Sequence, residues 1–231
     1  QGVKIPFILT VTPKAEGDAK EKIGPQLRDE DDMMKKKELF LEFAKSAANG
    51  VSFLHQHGLI HRDIKPDNFF IHEGKPKLAD FGTTSAPDNE MFQRSGTPGF
   101  QSPELVEISQ KGLEGDTIDY TKVDVYSLGC TFYQLLTGEE LIDLKDDSHF
   151  KNTLVDEKAL NAATEDMLDV KEIILKCLSD NPADRPSAAD LEELLAKVKP
   201  PIIEKLEGSI SNLERSISDL LPKSSQNITF S

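Results

Sequence analysis

The sequence feature that constrains the fold most is a polar segment interrupted by proline, HRDIKPDN at positions 61–68. Because Pro66 lacks the backbone N–H that a helix requires, this segment must form a loop. A loop can direct the carboxylate of Asp63, the cation of Lys65 and the amide of Asn68 towards one point. We therefore expect a polar site here.

A second polar segment, Asp80-Phe81-Gly82, lies 17 residues after Asp63. Two β-like runs separate the segments, Phe69–Ile71 and Pro76–Ala79, with the turn signal Glu73-Gly74 between them. This pattern predicts a hairpin that folds the chain back on itself.

The hairpin should return Asp80 to a position beside Asn68, so that both converge with Asp63. Asp80 and Asn68 carry the oxygen ligands that Mg2+ bound to a nucleotide prefers. Lys65, two residues after Asp63, would neutralise charge on a phosphate during its transfer.

The rest of the chain is predicted to be mainly helical. Helical spacing of apolar residues predicts a long amphipathic helix over Met33–His57, and Gly58 ends it. After Pro103 we predict helices over residues 104–109, 121–137, 139–147, 164–178 and 187–198. Ile5–Val11 is predicted to be a short strand, whereas the proline and glycines of Thr12–Pro25 argue against a continuous helix. The predicted fold class is α+β, mainly α.

The tail after Pro200 has its own periodicity. Its large apolar residues follow one another in steps of three and four, which is the a/d pattern of an amphipathic helix with one apolar seam: Ile203, Leu206, Ile210, Leu213, Ile217 and Leu220. Three occupants of this seam stay open at this point: the chain's own domain, a second copy in a homodimer, or a partner helix.

Charge and cysteine content limit the partners. The net charge is −14, and residues 51–200 hold 28 acidic against 15 basic residues. Such a surface repels nucleic acid and anionic membranes and favours a substrate with basic flanks. Cys130 and Cys177 lie in apolar runs, which is typical of buried thiols in a reducing, cytoplasmic compartment. No apolar stretch approaches the ~20 residues that span a bilayer, so no membrane contact is expected.

Five motifs occur in a specific order: HGLIHRDIKPDN, LADFG, GTPGFQSPE, DVYSLGC and NPADRPS. Together they resemble the C-terminal lobe of a eukaryotic-type serine/threonine protein kinase, over roughly Ile5 to Val198. The resemblance implies a mainly helical lobe with a short β-hairpin at the catalytic loop. It divides the chain into the last small-lobe strand and hinge (1–13), the C-lobe (14–198), and an amphipathic C-terminal helix with a disordered end (199–231).

The resemblance also implies roles for individual residues. Asp63 would accept the proton of a substrate hydroxyl, and Lys65 would stabilise the γ-phosphate of ATP. Asn68 and Asp80 would hold Mg2+ as the cofactor, and the hinge backbone at Val11 would meet the adenine.

Further resemblances concern specificity and regulation. Lys65 and the expected contact of Thr97 with Asp63 are typical of serine/threonine rather than tyrosine kinases. Arg62 resembles the arginine that pairs with a phosphorylated activation loop. Gln93 stands near the usual phosphosite, so activation by loop phosphorylation is not expected.

Other resemblances are structural. Glu104 and Arg185 resemble a buried ion pair, and Asp124 is expected to hydrogen-bond the backbone of the catalytic loop. His61 is expected to pack beneath that loop, while helix-end solvation suffices for His55.

The sequence lacks two parts that a kinase takes from its small lobe. It contains no GxGxxG motif and no VAIK-like lysine. We favour a fragment of a longer kinase, because the four residues expected to act on the phosphates are intact: Asp63, Lys65, Asn68 and Asp80. The alternatives are a truncated pseudokinase that acts as an interaction scaffold, and an atypical enzyme that phosphorylates another acceptor, such as a small molecule.

Overall fold

A computed structural model describes residues 13–88, 95–111, 118–141, 155–199 and 201–220. Within these ranges the elements are, in chain order, β1 (Gly17–Asp18), α1 (Ala19–Asp29), α2 (Met33–Gln56), β2 (Phe69–His72), β3 (Lys75–Leu78), α3 (Pro103–Lys111), α4 (Tyr120–Thr137), α5 (Glu157–Ala163), α6 (Leu168–Cys177), α7 (Ala188–Lys197) and α8 (Pro201–Leu220). Short 3-10 turns cover Pro66–Asn68, Phe81–Thr83 and Pro182–Asp184. The predicted strand Ile5–Val11, with its hinge residue Val11, lies outside the described residues.

The predicted hairpin is confirmed. Strands β2 and β3 pair antiparallel, with Phe69 opposite Leu78, and β1 adds to the other edge of β2. The connecting turn places Glu73 at φ 52° and Gly74 at φ 70°. Two successive left-handed residues are typical of the two-residue turns that match the twist of a hairpin.

Helix α1 was not expected from the sequence. Residues 13–18 are not helical, as predicted, but α1 begins at Ala19 and continues through Pro25. The side chain of Asp18 caps it by accepting the N–H of Glu21 over 2.9 Å. Ala19 and Leu27 are completely buried, and α1 packs on α4. The free energy gained by burying these side chains offsets the cost of the backbone hydrogen bond that a proline removes from a helix interior.

The core forms between α2 and the central helix α4. Phe132 of α4 packs edge-to-face against Phe40 of α2, with ring centroids 5.5 Å apart. Phe43 of α2 packs in the same way against Phe69, at 5.2 Å. Because Phe69 directly follows Asn68, this aromatic cluster anchors the end of the polar loop.

The prediction of a mainly helical α+β chain is confirmed, with differences in detail. Helices α3, α4, α6 and α7 fall at the predicted places, α8 confirms the tail helix, and α5 was not predicted. Of the helix predicted over 139–147, residues 139–141 are not helical and 142–147 lie outside the described residues. Cys130 and Cys177 are buried free thiols, as predicted. None of the helices in the described part is long and apolar enough to cross a bilayer.

Candidate active site

The polar loop is held from below by the buried carboxylate of Asp124 on α4. Asp124 Oδ2 accepts the N–H of His61 over 2.9 Å, and Oδ1 accepts the N–H of Arg62 over 2.8 Å. Arg62 has φ 69°, a conformation that side-chain-bearing residues seldom adopt. The two hydrogen bonds from α4 therefore set the backbone path from which Asp63 projects.

Two histidines support this loop. His61 is fully buried, and its Nε2 donates to the carbonyl of Ala79 over 3.0 Å, which ties the loop to the end of the hairpin. His55, which sequence analysis assigned to helix-end solvation, instead lies 3.0 Å from Asp124 through its Nε2. That interpretation of His55 was wrong, because a contact between α2 and α4 has no signal in the local sequence.

Asp63, Lys65, Asn68 and Thr97 meet in one hydrogen-bonded cluster. Asp63 Oδ1 accepts both the hydroxyl of Thr97, over 2.6 Å, and its backbone N–H, over 3.0 Å. Asp63 Oδ2 accepts Lys65 Nζ over 2.9 Å and Asn68 Nδ2 over 3.0 Å. Lys65 Nζ also donates to Thr97 Oγ1 over 2.7 Å. The loop and the segment around Thr97 are thus joined at the Asp63 carboxylate.

This environment changes the acidity of Asp63. Partial burial pushes its pKa upwards, but hydrogen bonds from Thr97, Lys65 and Asn68, with the positive charge of Lys65, outweigh that effect. The pKa of Asp63 therefore lies below the ordinary value of an aspartate. The carboxylate is ionised at neutral pH and oriented on both of its oxygens.

Asp80 reaches the same neighbourhood through the backbone. The N–H of Ala79 donates to the carbonyl of Asn68 over 2.9 Å, which brings the residue before Asp80 beside Asn68. Asp80 itself is exposed, has φ 57° and accepts the N–H of Gly82 over 3.3 Å. Among the described residues, its side chain has no hydrogen bond to Asp63 or Asn68.

The chemistry of this pair fits a hard cation. The two hydrogen bonds of the Asn68 side chain both use Nδ2, so its Oδ1 is the atom left for a ligand. Asp80 adds an exposed carboxylate, and phosphate oxygens and water would complete such a set. No group of three or more His, Cys, Asp or Glu in the described ranges is arranged to hold a metal by itself.

The guanidinium of Arg62 is occupied by the backbone that follows the hairpin. Its Nη2 donates to the carbonyl of Ala86 over 2.7 Å and to that of Pro87 over 3.2 Å. Its charge lies 4.4 Å from the ring centre of Tyr120. The arginine that the family resemblance assigned to a phosphate thus donates hydrogen bonds to two backbone carbonyls. Gln93 lies outside the described residues.

A small cavity of about 100 Å³ opens beside the loop. It lies between α1, α4 and the turn that begins at Pro66, and Lys20 and Arg28 of α1 line it together with Gln134. Gln134 Nε2 donates to Glu140 over 3.2 Å, whereas its buried Oε1 has no hydrogen-bond partner among the described residues. No local sequence pattern indicates this cavity, because its lining residues come from separate elements.

A long-range ion pair fastens the segment after the site. Arg185 is buried, and its two terminal nitrogens donate to the two carboxylate oxygens of Glu104 over 2.7 and 2.9 Å. The side chain also lies 4.8 Å from the ring centre of Tyr126. This is the pair that the resemblance implied, and it connects α3 to the turn before α7.

Comparisons with known proteins agree with this architecture. The chain is 28% identical over 166 residues to a Wee1-like protein kinase of Oryza sativa subsp. japonica. This alignment covers 72% of the chain and 29% of that protein. It is 31% identical over 157 residues to a putative serine/threonine-protein kinase of Acanthamoeba polyphaga mimivirus, covering 65% of the chain and 54% of the relative. With mitogen-activated protein kinase kinase kinase 3 of Arabidopsis thaliana it shares 35% identity over 156 residues, 64% of the chain and 26% of the relative.

The chain thus spans between about a quarter and about half of the length of these curated relatives. The family model described as "Protein kinase domain" matches residues 16–195, most of the chain. The matched region includes the hairpin, the polar loop and its supports on α4, and the ion pair that follows. The chain belongs to the protein kinase domain family.

Proposed function

We propose that this chain carries the catalytic loop of a serine/threonine protein kinase, which transfers the γ-phosphate of ATP to a protein hydroxyl. The observation that carries the proposal is the Asp63 carboxylate, held by Thr97, Lys65 and Asn68 at 2.6–3.0 Å. Such preorganisation favours a reaction whose catalysis depends on positioning and electrostatics rather than on covalent intermediates.

The first role of Asp63 is to orient the target hydroxyl. Its lowered pKa makes it a weak base, so it accepts a hydrogen bond from the target hydroxyl. It takes the proton as the new O–P bond forms, while the bond between the γ-phosphorus and the bridging oxygen breaks and ADP leaves. Lys65 lies 2.9 Å from the same carboxylate and would stabilise negative charge on the phosphoryl group. The contact between Lys65 and Thr97 supports serine or threonine as the acceptor.

Asn68 and Asp80 would hold Mg2+ through Oδ1 and the exposed carboxylate. When bound, the ion neutralises charge on the phosphates of ATP. Asn68 also contacts Asp63 through Nδ2, so one side chain would link the metal side of the site to the proton-accepting side.

Full activity further requires a glycine-rich loop and a lysine on the ATP phosphates, which the sequence does not contain. We propose that a small lobe supplies them. The 231-residue chain alone should then bind Mg-ATP weakly or not at all, and tight binding in calorimetry would contradict this requirement.

The proposed substrates are proteins with basic residues near the target hydroxyl. The support is the local excess of acidic residues, 28 against 15 basic over 51–200. Lys20 and Arg28 line the cavity beside the loop, so these side chains would not attract a basic peptide directly. The preference for basic substrates should therefore come from the long-range electrostatic field of the acidic surface, and it should weaken as the salt concentration rises. A peptide library phosphorylated best at sites with acidic flanks would overturn this proposal.

The decisive experiment measures transfer of labelled γ-phosphate to a serine- and threonine-containing peptide library by the protein expressed from its complete gene. Asp63→Asn should lower kcat by at least ~100-fold, because a catalytic base typically contributes a factor of ~10²–10⁴ to the rate. Asp67→Asn is the matched control, because this carboxylate lies in the same segment and pairs with Lys20 at 3.3 Å. If the parent protein transfers no phosphate, the pseudokinase alternative is favoured instead.

A further inference from the structure

Helix α8 exposes an apolar seam along its length. The seam consists of Leu206, Ile210, Leu213 and Ile217, whose side chains are 57%, 54%, 63% and 57% exposed. Their spacing of four, three and four residues places them in one row on the helix. Because each remains more than half exposed, the chain's own domain does not cover the seam, and the first of the three open occupants is excluded for these residues.

The order of residue types in the seam points to a specific assembly. When the tail is written in heptads, isoleucine takes the a positions Ile210 and Ile217, and leucine takes the d positions Leu206 and Leu213. β-Branched residues at a with leucine at d favour two parallel strands over three or four. The 20 residues of α8 give about 30 Å of helix, or nearly three heptads.

The side chains beside the seam are compatible with a second copy of the same chain as the occupant. Along the exposed seam the g positions are Ser209 and Ser216, and the e positions are Glu207 and Glu214. In a parallel pair each g residue faces an e residue of the other chain, so serine meets glutamate and no like charges oppose each other. An antiparallel pair would bring glutamates together. With neutral g positions, no charge pattern requires a different partner.

We infer that α8 forms a parallel two-stranded coiled coil with α8 of a second copy, so that the protein is a homodimer through its C-terminal helix. The interface is independent of the proposed phosphoryl transfer, because the seam includes no residue of the loop or of its supports.

The test measures the mass of the whole chain by sedimentation equilibrium over a range of concentrations. We expect about twice the 25.6 kDa of one chain at high concentration and dissociation on dilution. Leu213→Glu buries a charge in the seam and should weaken the dimer about 100-fold. Ser211→Glu adds the same charge outside the seam and should leave the mass unchanged.

A monomer at every concentration would overturn the inference, as would a trimer, a tetramer or a dimer that Leu213→Glu leaves intact. Circular dichroism of both variants checks that the fold is retained. Leu213→Cys tests the orientation, because equivalent d positions meet only in a parallel, in-register pair. We expect this variant to form a disulfide-linked dimer under mild oxidation, while Cys130 and Cys177 stay buried. A dimer that forms no such link would overturn the parallel arrangement.

Discussion

The backbone N–H of Arg62 donates to the carboxylate of Asp124 over 2.8 Å, across 62 residues of sequence. Arg62 has φ 69°, so α4 stabilises a left-handed residue immediately before Asp63. The direction of the Asp63 side chain therefore depends on a buried charge in the centre of the helical core. This dependence makes Asp124 a positioning residue for the proposed reaction.

Asp124→Asn should destabilise the fold by about 2–3 kcal/mol, because one of two buried N–H donors loses a charged acceptor. Chemical denaturation measures the loss. Asp119→Asn is the matched control, since Asp119 caps α4 by accepting the N–H of Thr121 over 3.0 Å and asparagine caps a helix equally well. Equal losses in the two variants would contradict the special role of Asp124.

Removal of the long-range ion pair should be costly. Glu104→Ala leaves Arg185 buried without its carboxylate, and we expect a loss near the lower end of about 3–5 kcal/mol, because backbone carbonyls still contact the guanidinium. Glu193→Ala breaks an exposed pair with Lys197 at 3.6 Å and should cost at most about 0.5 kcal/mol. The free energies of unfolding of the two variants decide the point.

The titration of Asp63 should respond to Thr97. Because the folded-state pKa of Asp63 is lowered, its ionised form contributes stability that is present above pH ~4 and lost as the pH falls through the folded-state value. Thr97→Val removes the hydroxyl donor at 2.6 Å, so the pKa of Asp63 should rise towards its ordinary value.

The measurement is an NMR titration of the Asp63 carboxyl carbon. Thr121→Val serves as control, because it removes a similar hydroxyl bond of 2.6 Å to Asp119 at the start of α4. A pKa of Asp63 that stays constant in Thr97→Val would show that the hydroxyl does not stabilise the carboxylate.

Close packing of α4 on α6 predicts intolerance at Gly129. An added Cβ would lie 2.9 Å from atoms of both Cys177 and Leu178, so Gly129→Ala should destabilise the protein by about 1–3 kcal/mol. Gly50→Ala, in α2, has its nearest contact at 3.3 Å, with Leu78. There the gain in helix propensity should offset the strain, and thermal unfolding compares the two variants.

Both thiols should be unreactive in the folded protein. Burial raises the pKa of Cys177 to about 12 and that of Cys130 further, so the reactive thiolate is scarce at neutral pH. A thiol reagent should label neither residue until the chain unfolds and then label both. Fast labelling of the native protein would contradict the packing between α4 and α6.

Much of the site follows from local sequence. Pro66 predicts a loop, and the Glu73-Gly74 turn predicts the hairpin whose two strands it connects. The order of the five motifs then indicated the family, and it singled out Asp63, Asn68 and Asp80 as candidate site residues. These features are readable because turn chemistry, helix periodicity and motif spacing act over short stretches of chain.

Only the tertiary structure decided how distant segments meet. Packing on α4 stabilises α1 as a continuous helix although Pro25 disfavours a helix at that position. The contact of His55 with Asp124 joins residues 69 positions apart. Arg62 received backbone carbonyls as partners, and the seam of α8 stayed uncovered. Each outcome depends on which surfaces the folded chain buries together, and no local pattern records that choice.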